Sequence, residues 1–174
     1  MKAIVTHGPF DYRLETVPDP VPGPEEVVIR VKASGLCASD MKCYHGGPSF
    51  WQGNPPYVKP PVIPGHEFIG EVVALGEGAE EKYGLKIGDK AVAEQILPCR
   101  ECRFCKTGRY WMCERNYVFG FQGGIDDGGM AEYSKFPKGS IIHKVPKELP
   151  DEYGALIEPL ACAIHAVERG EIQL

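Results

Sequence analysis

The sequence has 174 residues, 24 acidic against 19 basic, and a formal net charge of −5. Apolar residues make up 43 %, a globular balance with material for one domain of ordinary size and too little for both domains of a two-domain enzyme. No basic tract offers electrostatic support for a nucleic-acid or anionic-membrane partner, and no apolar run approaches the roughly 18 residues that would span a bilayer.

Met1-Lys2-Ala3-Ile4-Val5 meets polar Thr6 and His7 at once, too short an apolar stretch for a signal peptide, so a cytoplasmic location is the expectation. Residues 2–6 and 12–17 read as a hairpin around Gly8-Pro9-Phe10-Asp11, and the proline-rich run 17–24 then breaks any element. Residues 26–33 alternate, with Val27, Ile29, Val31 and Ala33 on one face and Val28, Arg30 and Lys32 on the other. Residues 46–64 read as a long loop carrying Phe50, Trp51 and Tyr57, and a loop of that length inside a domain is usually functional or disordered. Strands are expected over 65–76, 89–97, 130–136 and 141–145. Several short strands separated by Gly and Pro turns suggest a barrel-like or sandwich body. The period changes at 151–158, a short helical turn. Glu158-Pro159-Leu160 then reads as a helix start with Pro at the first helical position. Leu160, Ala161, Ala163, Ile164 and Val167 give that helix an apolar surface up to Gly170. No Gly-x-Gly-x-x-Gly fingerprint of a dinucleotide site occurs.

Seven cysteines in a reducing compartment point to metal ligands or buried thiols before disulfides. Cys99, Cys102, Cys105 and Cys113 form C-x2-C-x2-C-x7-C inside a lobe of about residues 98–121. Four thiolates satisfy tetrahedral zinc with no open position, the structural kind of site. Metal binding would supply much of the folding free energy of so apolar-poor a segment, and Arg103, Lys106 and Arg109 could offset the negative charge. An iron–sulfur cluster uses related spacing, but Glu114 follows Cys113 where the ferredoxin run has proline.

Cys37, His66, Glu67 and Glu158 form a second, scattered set. Thiolate, imidazole and carboxylate would give zinc three protein ligands and an open position. Ser39 could pass a proton from a metal-bound alcohol, and Asp40 could accept from the far nitrogen of His66. From spacing alone each has an ordinary alternative: a buried thiol, a solvated histidine, a favourable helix N-terminal charge, a turn or capping residue.

The motifs decide between these. Gly65-His66-Glu67-Phe68-Ile69-Gly70-Glu71 with Gly76 and Ala79, Gly35-Leu36-Cys37-Ala38-Ser39-Asp40, Gly88-Asp89-Lys90-Ala91-Val92, the cysteine lobe, Gly129-Met130-Ala131-Glu132-Tyr133 and Leu156-Ile157-Glu158-Pro159-Leu160 run along nearly the whole chain. With them the sequence resembles the zinc-dependent medium-chain alcohol dehydrogenases, in particular the sorbitol and threonine dehydrogenase-like polyol branch. The resemblance implies a mainly β, GroES-like, partly open barrel over residues 1–157. The structural-zinc lobe is inserted in it, and residues 158–174 begin a connecting helix toward a nucleotide-binding Rossmann domain that these residues do not contain. It implies two zinc ions per chain: one catalytic, on Cys37, His66 and Glu158 with Glu67 adjacent, and one structural, on the four lobe cysteines. Ser39 is the implied relay hydroxyl. Where the family often has a relay histidine, Lys42 stands here, with His45 nearby. Cys43 and Cys162 receive no metal role, and His165 reads as a packing residue. Tyr44, Phe50, Trp51 and Tyr57 either line a pocket or pack the loop.

The implied reaction is hydride transfer between a polyol or secondary alcohol and NAD or NADP, giving a ketose or ketone, in a homo-oligomer of the full-length protein. On this expectation the 174 residues are the front part of a longer polypeptide and do not turn over alone. The alternatives are a non-catalytic zinc-stabilised binding module, a dehydrogenase of another secondary alcohol such as threonine, or a zinc-independent reductase relative, the last disfavoured because both ligand sets are present.

Overall fold

The computed structural model describes residues 1–171. The expected hairpin forms from β1 (Lys2–Gly8) and β2 (Asp11–Thr16), antiparallel with Lys2 opposite Thr16. Its apolar side, Ala3 and Val5, packs on Ile63, and the Ile4 N–H donates to the Met130 carbonyl at 2.9 Å. The hairpin is thereby tied to the loops around the site.

A five-stranded antiparallel sheet forms the body. Its strands are β3 (Val27–Ser34), β4 (Phe68–Leu75), β5 (Lys90–Ala93), β8 (Tyr133–Phe136) and β9 (Ile142–Val145), in the order β8-β3-β4-β5-β9. The sheet stays open, with β8 and β9 as its edges. This is the expected GroES-like domain, a mixed β/α body. Every named strand pairing is antiparallel, so the described residues hold no doubly wound parallel sheet.

Val28, expected on the face of Arg30 and Lys32, is buried, as are Val27 and Ile29. The β3–β4 register shifts between Val28 and Ile29. The residue skipped there is Val73 on β4, so β3 keeps its alternation at this point: Val27 and Ile29 join the main core and Val28, though buried, does not. The main core joins Val27, Ile29, Phe68, Val72, Leu85, Ala91, Phe119 and Phe136. Each such large side chain, fully buried, contributes roughly 1.5–3 kcal/mol.

Strand expectations also shorten at the site. The segment at 65–76 becomes a strand only from Phe68, leaving Gly65, His66 and Glu67 in the preceding loop. The segment at 89–97 breaks at Glu94 and Gln95, dividing β5 from β6 (Ile96–Leu97), which pairs with β7 (Tyr117–Val118). That two-stranded ribbon is the stalk of the cysteine lobe, which carries α4 (Arg103–Lys106) and a 3-10 turn at Tyr110–Met112. Phe119 and Phe121 lie beyond the ribbon, buried in two different clusters.

Helices occupy the connections: α1 (Ala38–Tyr44), α2 (Pro48–Trp51), α3 (Ala79–Tyr83), α5 (Asp151–Gly154) and α6 (Ile157–Arg169). The long loop at 46–64 is packed. Val58 and Val62 are buried with Cys43 and Phe121, and Phe50, Trp51 and Tyr57 lie against them. The Trp51 indole N–H donates to the Cys43 carbonyl at 2.7 Å. Helix α6 starts before the expected point. Pro159 is its third residue, still within the first turn, where backbone N–H groups have no intrahelical partner. Its apolar residues Leu160, Ile164 and Val167 are half-exposed, while Ile157 packs against the cluster of Ile69, Val92 and Val145. Among the described residues no helix is long and apolar enough to cross a membrane.

Candidate metal centres

The lobe gathers its donors locally. The ribbon brings Cys99 back beside Cys113, while Cys102 caps α4 and Cys105 lies within it. The four sulfurs fall within 4.8 Å of one another, and Cys99 and Cys105 are 3.9 Å apart. None of the chain's cysteines is in a disulfide. Backbone N–H groups point at the sulfurs: Cys99 to Cys113 Sγ at 3.3 Å, Cys102 to Cys99 Sγ at 3.3 Å, Glu101 to Cys99 Sγ at 3.4 Å. Such donors favour thiolate over thiol. The backbone N–H groups of Glu114 and Cys105 hold the Cys102 thiol down to about 6, while burial pushes Cys105 up to about 12. Four soft donors converging with no carboxylate among them fit zinc in its structural, closed form. Of the basic residues nearby, Arg103 pairs with Glu114 at 3.1 Å and lies over Phe104, as does Arg109.

The mixed cluster is gathered by the sheet. Strands β3 and β4 pair as far as Ser34 opposite Phe68, and the ladder is extended by the Gly35 N–H donating to the Glu67 carbonyl at 2.6 Å. Residues just after β3 are therefore set against residues just before β4, which brings Cys37 to His66 and Glu67. Gly65 has φ of +98° and presents His66 inward, a conformation natural only to glycine. The ligand atoms of Cys37, His66 and Glu67 lie within 4.8 Å of one another.

Asp40 has two roles. Cys37 is the N-cap of α1, and Asp40, at the third helical position, accepts its backbone N–H at 2.9 Å in a capping box. The other Asp40 oxygen faces His66 Nδ1 at 3.7 Å, with both side chains only 3 % exposed. Neither of these two facing atoms has a hydrogen bond. Burial pushes the Asp40 carboxyl above its ordinary value, opposed by His66 and the Cys37 N–H. Nδ1 thus faces Asp40, while Nε2 lies 3.4 Å from Ser39 Oγ. The imidazole packs on Phe121 at 5.7 Å between centroids, with Phe50 and Tyr57 behind it. A ring so fixed, beside a thiol and a carboxylate, fits a zinc site of the open kind.

Glu158 lies outside the three-donor group. It is the second residue of α6, and its Oε1 accepts from the Gln95 amide and from the Cys162 thiol, the latter at 3.3 Å. Burial raises its carboxyl, opposed by Cys162 and His66. Gln95, Glu158 and Cys162 line a cavity of about 610 Å³ with Phe68, Trp111 and His165. Spacing could have flagged Cys162, four residues after Glu158 and so on the same helix face. Gln95, in the break between β5 and β6, carries no such signal. His45 lies against Phe10 and Tyr44, Cys43 is buried, and His165 packs on Trp111 at 5.1 Å. The aromatic residues of the long loop back the histidine from inside the protein.

The sequence family "Alcohol dehydrogenase GroES-like domain" matches residues 23–147. The chain is 48 % identical to the erythritol/L-threitol dehydrogenase of Mycolicibacterium smegmatis over 99 % of its own length and 48 % of that protein's. It is 38 % identical to the L-threonine 3-dehydrogenase of Pyrococcus horikoshii, again over 99 % of this chain and 47 % of that one. The crystal structure of 2R,3R-butanediol dehydrogenase from Bacillus subtilis superposes with a TM-score of 0.82 at 38 % identity, covering 96 % of this chain and 46 % of that chain. The chain spans about half the length of the curated relatives it matches.

Proposed function

Because the chain belongs to the zinc-dependent alcohol and polyol dehydrogenase family, we propose that it is the zinc-holding catalytic portion of an oxidoreductase. The whole protein would transfer hydride between a short polyol and NAD or NADP, giving the ketose. Residues 1–157 form the catalytic domain and residues 158–174 begin the connection to a nucleotide-binding domain. The observation that carries the reading is the cluster of Cys37, His66 and Glu67, with Ser39 on one side of the imidazole and Asp40 on the other.

When bound, zinc supplies a Lewis acid that lowers the pKa of a substrate hydroxyl. Cys37 and His66 hold it, with Glu67 and Glu158 as the acidic groups at hand, while the four lobe cysteines hold a second, structural ion. Ser39 Oγ, 3.4 Å from His66 Nε2, is placed to take the proton from the hydroxyl and release it outward. Asp40 faces the imidazole at Nδ1, and Phe121, with the aromatic residues behind it, packs on the ring. The likeness to an erythritol/L-threitol dehydrogenase supports a four-carbon polyol over threonine, whose dehydrogenase is a more distant relative.

The test is a metal count joined to a substrate panel on the full-length protein. Two zinc ions per chain are expected, one after Cys37→Ala, with the largest kcat/KM on erythritol or threitol among polyols, butanediol and threonine. A single zinc in the unmutated protein, or turnover confined to threonine, overturns the proposal.

A further inference from the structure

The segment that delivers His66 is laced to a neighbour on each side. On one side Val62 exchanges both of its backbone hydrogen bonds with Thr6 of β1, at 2.8 and 3.3 Å. On the other side stands the loop between β7 and β8. There the Gly128 N–H donates to the Ile63 carbonyl at 2.7 Å, Met130 to Pro64 at 3.0 Å and Gly129 to Gly65 at 3.2 Å. The two backbones meet so closely that a β-carbon on Gly128 would overlap the carbonyl oxygens of Pro64 and Gly65. The Ile63 N–H is taken by a side chain of the same loop, donating to Asp127 Oδ1 at 3.0 Å. Ile63 is buried, so without that oxygen its N–H would be left unpaired away from water, a state relieved only by moving the segment or admitting water. These bonds fix where the chain stands at Gly65, whose φ of +98° then turns His66 inward. The imidazole, held between Asp40 and Ser39 in front, is thus also set from behind.

We propose that Asp127 is a positioning residue for the mixed metal site: through Ile63 it fixes the backbone that carries His66, and so the reach of the imidazole toward a metal. The proposal rests on reading the cluster of Cys37, His66 and Glu67 as a zinc site. Asp127 is not one of those donors. It acts by geometry and not by charge, because a carboxylate oxygen and an amide oxygen accept the same N–H. The coupling runs both ways. If the held segment binds metal better, bound metal must hold the segment better by the same factor. The Ile63 N–H therefore reports on the metal although it lies outside the cluster.

The experiment uses the full-length protein. Chelator competition measures the zinc affinity of each site, and Cys37→Ala identifies the mixed one. Asp127→Ala is expected to weaken zinc at the mixed site about tenfold and to leave the lobe site unchanged. Asp127→Asn, which keeps an oxygen acceptor, should match the unmutated protein at both sites. Unchanged affinity in Asp127→Ala, equal weakening of both its sites, or equal weakening in the alanine and asparagine variants overturns the role of Asp127. A second measurement needs no variant, and decides the matter if Asp127→Ala does not fold. Solvent exchange of the Ile63 amide should slow about tenfold when zinc fills the mixed site of protein already loaded at the lobe. Exchange that is indifferent to that zinc overturns the role as well. A single zinc in the unmutated protein overturns the zinc-site reading beneath the proposal, and the role with it.

Discussion

The two candidate metal centres reach similar donor spacing by opposite routes. The lobe takes four like donors from one short segment standing on a two-stranded ribbon, and its aromatic residue Trp111 and its Met112 are substantially exposed. The mixed cluster takes unlike donors from the ends of β3 and β4 and rests on buried Phe121, Val58 and Val62. In the lobe the donors are gathered by local chain turns, whereas at the mixed site they are gathered by the sheet. A closed, self-contained centre tolerates what happens elsewhere. The open one inherits its precision from the sheet register.

The largest effect that would break this contrast lies in the lobe. Cys105→Ser is expected to lose the structural ion and, with it, on the order of 10 kcal/mol of apparent binding free energy. Limited proteolysis should cut within residues 98–116 while the five-stranded sheet and the second ion persist. Loss of both ions together would show that the sites are one cooperative unit.

A smaller effect tests how far the mixed site depends on its interior. Asp126 is fully buried, and neither carboxylate oxygen has a partner. It shares a loop with Phe121. Burial, reinforced by Asp127, raises its carboxyl from 3.8 to about 8. The folded state therefore keeps a proton that the unfolded chain has released, and its contribution to stability falls as pH rises from about 4 to about 8. Asp126→Asn should stabilise the protein by at most about 5 kcal/mol at pH 8, with the gain vanishing near pH 4. Thermal melts across that range check the sign, and a gain that grew toward acid would refute it.

The smallest effect separates the two roles of Asp40. Asp40→Asn keeps an acceptor for the Cys37 N–H and removes the charge facing His66. It should weaken metal binding at the mixed site by about tenfold and leave the lobe untouched. Asp40→Ala should lose in addition about 1 kcal/mol of helix capping. Equal effects from both variants on metal and on stability would mean that the cap alone matters.

These contrasts also account for what was legible in the sequence. The lobe could be read from spacing because its geometry is local. Cys37 and His66 are 29 positions apart, and no periodicity joins them, so their pairing came from motif resemblance until the β3–β4 register supplied the physical reason. Ala33, expected on the face of Val27 and Ile29, packs instead on the cluster of Ile69, Val92 and Val145, because the shift between Val31 and Ala33 leaves no trace in the hydrophobic pattern. Pro159 was placed at the first helical position because any of the first turn's residues tolerates proline, which fixes a helix start only to within a turn. Gln95 was missed altogether. Its contact with Glu158 depends on a strand break and on a helix from the far end of the chain, and a lone glutamine before Ile96 announces neither.

One hydrogen bond has a use beyond holding the site. The Cys37 amide is bonded to the carboxylate that faces His66, so its solvent-exchange rate and chemical shift report on the site without substrate, cofactor or added probe. A single backbone resonance can therefore serve as a gauge of whether the zinc-binding pocket is assembled, readable even in a preparation that catalyses nothing.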